Sequence, residues 1–267
     1  MKDPPAIAAV VVSHNSEDDL PSCLDALLAA DGVQKVVVVD NRSRDRSREV
    51  VRAYDDSLVR LIDEEVNTGF AGGCNRGYRE LADGHRVLAF LNPDVGVEPS
   101  CLRRAAHVLA DDEGLGAVAP RLMRSDGTTV DSVGQRLKPV TLEVCDLGYG
   151  QPLSDDLLRP NPVLAPCGAL AVFRTAALSE IADVLGPWAQ HYFCFWEDLE
   201  IGWRLANRGW RIRSCPEAVA THGRGAGAAE GRGPLRWRRP PELEACILSN
   251  RWMTLARHLH PLDLLPR

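Results

Sequence analysis

Three carboxylates stand directly behind an aromatic cluster in Phe193-Cys194-Phe195-Trp196-Glu197-Asp198-Leu199-Glu200, and the amphipathic run Ile201-Gly202-Trp203-Arg204-Leu205 follows at once. Carboxylates beside bulky apolar rings are poorly solvated, which raises their pKa and makes them better proton acceptors. The same acids fall at the mouth of a helix, where free backbone N–H groups stabilise negative charge. Two roles fit these residues. One is general-base chemistry; the other is ordinary helix capping, with Glu200 paired to Arg204 one turn on.

Polar residues also end three apolar runs: Val12-Ser13-His14-Asn15, Val39-Asp40-Asn41-Arg42-Ser43-Arg44-Asp45 and Phe90-Leu91-Asn92-Pro93-Asp94. Asp40, after four valines, suits either the N-cap of a following helix or a contact to a nucleoside base or ribose. Pro93 restricts its neighbours, so Asn92 and Asp94 are held in a defined turn. A carboxylate fixed in this way suits a divalent cation bridging to a diphosphate; the alternative is an Asx-turn without a ligand. The glycine-rich entry Asn67-Thr68-Gly69-Phe70-Ala71-Gly72-Gly73-Cys74-Asn75-Arg76-Gly77 lacks the Gly-Lys-Ser/Thr ending of a P-loop. Its glycines admit either a bulky ligand against the backbone or tight packing of a helix on a strand. His222 is structural or, beside Asp94, completes a metal site.

These residues need a scaffold. Apolar runs at 7–12, 35–40, 59–62, 86–91 and 115–120 alternate with helical patterns at 20–30, 46–54, 67–81 and 99–110. That alternation predicts an α/β fold with a mainly parallel sheet covered on both faces, its ligands at the carboxyl ends of the strands. After Pro120 the rhythm changes. Residues 121–162 are rich in Gly, Pro and Asp, with a hairpin expected around Ser125-Asp126-Gly127. A return strand is expected over 163–174, helices over 176–184 and 198–208, and short strands over 212–215 and 218–222. Residues 223–241 have the composition of a mobile loop, and 242–260 that of a terminal amphipathic helix.

A chain of 267 residues fits one large domain or two small ones. Its net charge of −6 gives no reason to expect nucleic acid as a partner. The eight cysteines are scattered without a CxxC pair, as for buried thiols in a reducing compartment. No apolar run is long enough to span a bilayer, and Met1-Lys2-Asp3-Pro4-Pro5 lacks a signal-peptide core, so a cytoplasmic location is expected. From Arg204 to Arg239 there are nine arginines against two glutamates. That stretch suits a solvated loop, a cationic flap over a diphosphate, or contact with an anionic membrane face.

The ordered set Val11-Val12-Ser13-His14-Asn15, Val39 to Asp45, Asn67 to Asn75, Leu91-Asn92-Pro93-Asp94 and Trp196-Glu197-Asp198-Leu199-Glu200 resembles the family 2 inverting glycosyltransferases, the bacterial rhamnosyltransferase-like branch above all. The resemblance implies a GT-A fold over 1–222: a Rossmann-like nucleotide-sugar half at 1–120 and a mixed acceptor half at 121–222. A basic loop and helix at 223–267 would follow. It also implies a nucleotide-sugar donor, with dTDP-L-rhamnose favoured, and Mg2+ or Mn2+ as cofactor.

By position, Asp40 looks like the acid that contacts the donor base, with His14, Asn15, Asn41 and Ser43 in the same pocket. Asn67, Gly69, Phe70, Gly72, Gly73 and Asn75 look like donor-site walls. Asp94 matches the last acid of the family's DXD motif, the metal ligand, while Asn92 replaces the first acid on the donor side. His222 matches a histidine that binds metal in some relatives. Asp198 matches the general base and Glu197 its acceptor-side neighbour; Gly168, Ala169 and Trp196 fall on the acceptor side. The implied acceptor is a saccharide, a lipid-linked sugar or a secondary metabolite, with peripheral membrane contact through the Arg-rich C-terminal segment.

Two other classes compete. Sugar-nucleotide nucleotidyltransferases use a related fold but need a basic, glycine-rich loop after the first strand, where this chain has Ser13-His14-Asn15-Ser16-Glu17-Asp18-Asp19. A degenerate sugar-nucleotide-binding protein would keep the fold without turnover, yet Asp40, Asp94 and Asp198 are all present.

Overall fold

The computed structural model describes residues 6–54, 57–223 and 241–260. The loop expected at 223–241 falls almost wholly outside them. The elements run β1 (Ile7–Ser13), α1 (Leu20–Leu28), β2 (Val33–Asp40), α2 (Ser47–Arg52), β3 (Val59–Asp63), α3 (Gly69–Leu81) and β4 (Val87–Leu91). Next come β5 (Val95–Val97), α4 (Cys101–Asp111), β6 (Leu115–Arg124), β7 (Val130–Ser132), β8 (Gln135–Leu137) and β9 (Val144–Asp146). The chain continues through β10 (Leu170–Arg174), α5 (Thr175–Ile181), α6 (Glu197–Asn207), β11 (Arg211–His222) and α7 (Pro241–His258).

The main sheet follows the path β3-β2-β1-β4-β10-β6-β11-β5, with β7 beside β6. Strands β3, β2, β1 and β4 are parallel. Beyond them the sheet is mixed: β10 runs against both β4 and β6, β11 runs with β6, and β5 against β11. The valine run of β2 shows why the first half is parallel. Val36 and Val38 face one layer with Leu20, Leu24 and Leu27 of α1 and Leu102 and Leu109 of α4. Val37 and Val39 face the other with Ala71, Cys74 and Tyr78 of α3, and α5 and α6 join that layer through Leu178 and Leu205. A strand buried on both faces needs apolar side chains at every position, which a continuous run supplies.

Several boundaries differ from the sequence expectation. Only Leu170–Arg174 of the expected 163–174 strand joins the main sheet. The preceding residues lie along β8 instead, where Gln135 N–H donates to the Ala165 carbonyl (2.7 Å) and Leu164 N–H to that of Gln135 (2.8 Å). The two short strands expected at 212–215 and 218–222 are one strand, β11, whose register shifts between Cys215 and Val219. Three-residue strands such as β5 and β8 carry too little period to be seen in sequence. All eight cysteines are free thiols.

Candidate active site

The carboxyl ends of β1 and β2 lie side by side, with Ser13 paired to Asp40. Asp40 is 1% exposed and accepts Ser43 N–H (2.8 Å) and Ser43 Oγ–H (2.5 Å), with Arg48 Nε 4.0 Å away. It therefore anchors the Asn41–Ser43 turn. Asn41 is likewise buried: its amide donates to the Gly69 carbonyl (2.8 Å), and Thr68 Oγ donates back to it (3.2 Å). Ser43 is buried as well, accepting Asn15 N–H at 2.9 Å. What this network leaves at the surface is His14 and Asn15. The His14 ring is fixed by the Asn41 carbonyl (2.8 Å), and Asn15 Oδ1 accepts Arg44 N–H (2.8 Å).

The glycine-rich entry to α3 serves packing. A Cβ on Gly73 would stand 2.5 Å from Val12, and one on Gly77 2.3 Å from Val10, so these glycines let α3 lie flat on β1. A Cβ on Gly72 would meet Thr68 at 2.4 Å. Asn75 is fully buried, with both ends of its amide bonded to the Trp188 backbone at 2.8 Å. It ties α3 to the loop before α6. Asn67 and Phe70 are half-buried, and Asn67 Oδ1 caps Gly69 N–H (2.9 Å).

Asp94 lies between β4 and β5, close to the end of β11. Its Oδ2 is 3.4 Å from His222 Nε2, and His222 Nδ1 is 2.8 Å from Asp131 Oδ2. Burial opposes a charged imidazole there, but the hydrogen bonds to Asp131 and Asp94 outweigh it and push His222 up to about 9. At the start of α1, burial first and then the charges of Asp94 and Asp18 push the Asp19 carboxyl up. Such a concentration of negative charge favours a cation. A divalent metal fits the donor set: one carboxylate, plus one imidazole whose far nitrogen is fixed by a second carboxylate. The remaining positions would go to phosphate and water, as Mg2+ and Mn2+ accept. Among the described residues no trio of His, Cys, Asp or Glu forms a complete protein cage.

A single backbone hydrogen bond, Asn92 N–H to the Ala169 carbonyl (3.1 Å), joins this turn to the acceptor half. Next to Ala169, Gly168 N–H donates to Asp198 Oδ2 (2.9 Å), as does Gln135 Nε2 (2.8 Å). Asp198 Oδ1 accepts Leu199 N–H at 2.8 Å, at the N-terminus of α6. Asp198 is half-buried, and burial raises the pKa of its carboxyl against the pull of these hydrogen bonds.

Residues 8–182 match the family model for glycosyl transferase family 2. The chain belongs to this family. The rhamnosyltransferase named N-acetylglucosaminyl-diphospho-decaprenol L-rhamnosyltransferase of Mycobacterium tuberculosis (strain ATCC 25618 / H37Rv) is 25% identical, over 81% of this chain and 75% of its own. The succinoglycan biosynthesis protein ExoO of Rhizobium meliloti (strain 1021) is 39% identical over 101 residues, which are 38% of this chain and 28% of that protein. Among solved structures, GalNAc-T7 with UDP, GalNAc and Mn2+ aligns with a TM-score of 0.71 at 15% identity, over 96% of this chain and 48% of its own. The mannosyltransferase PcManGT of Pyrobaculum calidifontis, with GDP-Man and Mn2+, gives 0.62 at 19% identity over 98% and 73%. The fold is GT-A, and the protein is a glycosyltransferase.

The family match ends before Asp198 and His222, so the lower half of this glycosyltransferase site rests on its own geometry. Glu197, expected beside the acceptor, is 6% exposed and its Oε2 has no hydrogen-bond partner. Burial first, then the Asp198 charge, pushes its carboxyl well above the usual range. Trp196 is 8% exposed and packs with Ala165, Tyr192 and Leu199, so it supports the site from inside. Ala169 is also buried and contributes only its carbonyl. Glu200 pairs with more than Arg204: it also binds Arg257 (3.0 Å) and His258 (3.3 Å) of α7. Sequence reading missed Gln135, Asp131 and Asn250. Gln135 and Asp131 sit in a segment whose Gly and Pro content reads as loop, and Asn250 looks like one polar residue among many on a helix.

Proposed function

We propose that this glycosyltransferase moves a sugar from a nucleoside-diphosphate sugar to an acceptor hydroxyl by a single inverting displacement, with Asp198 as general base. The setting of Asp198 carries this reading: a half-buried carboxylate, raised in pKa by burial, aimed by Gln135 and Gly168, and one backbone hydrogen bond removed from the Asn92–Asp94 turn. The acceptor hydroxyl gives its proton to Asp198 while its oxygen attacks the anomeric carbon from the face opposite the nucleotide. The bond from that carbon to the diphosphate breaks, and its electron pair leaves with the nucleoside diphosphate. Proton removal by a positioned base is worth about 10²–10⁴ in rate. Asp94 and His222 would hold Mg2+ or Mn2+, which when bound neutralises charge on the diphosphate. His14, Asn15, Asn67, Phe70 and Asn92 remain as surfaces for the donor.

The mycobacterial relative is by name an L-rhamnosyltransferase of N-acetylglucosaminyl-diphospho-decaprenol, which supports, for this chain, a rhamnosyl donor such as dTDP-L-rhamnose and a lipid-linked saccharide as acceptor. Leu248, Trp252 and Met253 are exposed on α7, which supports contact with a membrane face. No helix among the described residues is long and apolar enough to cross a membrane.

The test is a transfer and donor-hydrolysis assay over a panel of nucleotide sugars with Mn2+, run beside Asp198→Asn. We expect turnover with an inverted product by NMR, abolished in the variant with donor affinity within a few-fold. Binding without turnover across the panel would favour the degenerate reading, and substantial transfer by Asp198→Asn would remove it as the base.

A further inference from the structure

We propose that α7 is a positioning element for the general base. Asn250 fastens the 192–196 turn in the one shape that presents Asp198, an inference that rests on Asp198 being the base. The turn is strained: Phe193, Phe195 and Trp196 have φ of 60°, 67° and 71°. Non-glycine residues held there are strained and persist only where their surroundings over-determine them. Asn250, 2% exposed, supplies that constraint. Its Nδ2 group lies 2.8 Å from the Tyr192 carbonyl, 2.9 Å from that of Cys194 and 2.8 Å from that of Phe195. These carbonyls come immediately before α6, so the amide fixes the path by which the chain enters the helix that carries Asp198.

Other contacts of α7 grip the same region. Thr254 Oγ and the Tyr192 hydroxyl share a buried hydrogen bond of 2.7 Å. Past Asp198, Arg257 and His258 bind Glu200, and the His258 ring stacks on Trp203 at 5.2 Å. The helix therefore holds the chain on both sides of the base. His14, Asn15 and Asn92 are held by β1, β2 and Ala169 instead.

The test is Asn250→Ala, with kcat for transfer and the Kd for nucleoside diphosphate with Mn2+ measured together. We expect kcat to fall tenfold or more while Kd stays within twofold. We also expect faster hydrogen exchange at 192–199 and partial recovery of kcat on adding Phe195→Gly, since glycine adopts the left-handed shape without strain. A kcat within twofold of the parent, or a Kd that weakens in step with kcat, overturns the proposal. If Asn250→Ala does not fold, Thr254→Val and Arg257→Ala loosen the same helix and must show the same loss confined to kcat; equal loss of donor binding overturns it. Asp198→Asn in the same assay separates the two readings. Retained transfer there would sink the base assignment, whereas a dead Asp198→Asn beside a fully active Asn250→Ala would sink only the role of α7.

Discussion

The proposed mechanism concentrates the chemistry in one carboxylate, Asp198, which is held by a residue far away in sequence. Gln135 donates to Asp198 and so lowers a pKa that burial raises. Asp198 must be ionised to take a proton, so transfer is lost as pH falls through its folded pKa. Gln135→Leu removes a lowering contact and should move the acid limb of the kcat profile to higher pH. Loss of a hydrogen bond to a charged group should also cut kcat about tenfold. A limb that stays in place would show that Gln135 only packs. The candidate base was legible only as one of several acids at a helix mouth, where capping is the common use. Its partner was not, since nothing in a Gly- and Pro-rich stretch shows which side chain turns inward. The strand-end polar residues show the opposite pattern. Asp40, Asn41 and Ser43 were singled out as polar groups at a strand end, yet buried polar groups must be satisfied, and these satisfy one another.

At the level of elements, close approach decides what each helix tolerates. Gly73→Ala would push a methyl into Val12, where no flexible side-chain end can yield. Overpacking of this kind costs about 1–3 kcal/mol, and a melting curve should register it as a fall of roughly 3–10 °C. Gly69→Ala adds a second penalty. Its φ is +71°, and its Cβ would lie 2.2 Å from the Phe193 carbonyl, so the strained turn should shift and transfer should fall with stability. Glu200, fully buried between α6 and α7, gives a pH signature. Burial works against its charge, but His258, Arg204 and Arg257 more than compensate and lower its pKa. Its stabilising effect is therefore present above the ordinary glutamate value and lost as pH falls through the depressed folded pKa. In Glu200→Gln that dependence should disappear from Tm measured against pH, with roughly 3 kcal/mol lost at neutral pH. The alternation of buried runs and amphipathic helices made the first 120 residues readable. The acceptor half was harder, because β5, β8 and β9 are three residues each and owe their existence to neighbours distant in the chain.

Only the whole molecule brings Asp94, Asp131 and His222 together, from β4–β5, β7 and β11. Asp131→Asn should keep the fold while weakening Mn2+-dependent nucleotide binding about 10–100-fold, as loss of a partner to a metal-binding histidine does. Titration calorimetry with and without Mn2+ would measure it, and unchanged binding would show that His222 does not face the cation. A thermal-shift screen of nucleotide sugars would then rank donors, since ligand binding raises stability by mass action.

The antiparallel run of β10 between β4 and β6 has a consequence for how such a protein can change. Because that strand is reversed, the segment leading into it arrives at the same rim where β4 ends, bringing Gly168 beside the donor turn. The Asn92 turn and the Gly168 segment thus share one rim, at the end of the β4–β10 pairing. On the proposed function, changes within 136–164, which leave Asp94, Asp131 and His222 in place, are expected to remodel what is glycosylated more than which sugar is given. Acceptor preference should accordingly travel with an exchange of residues 136–164 between relatives, and donor preference should stay behind.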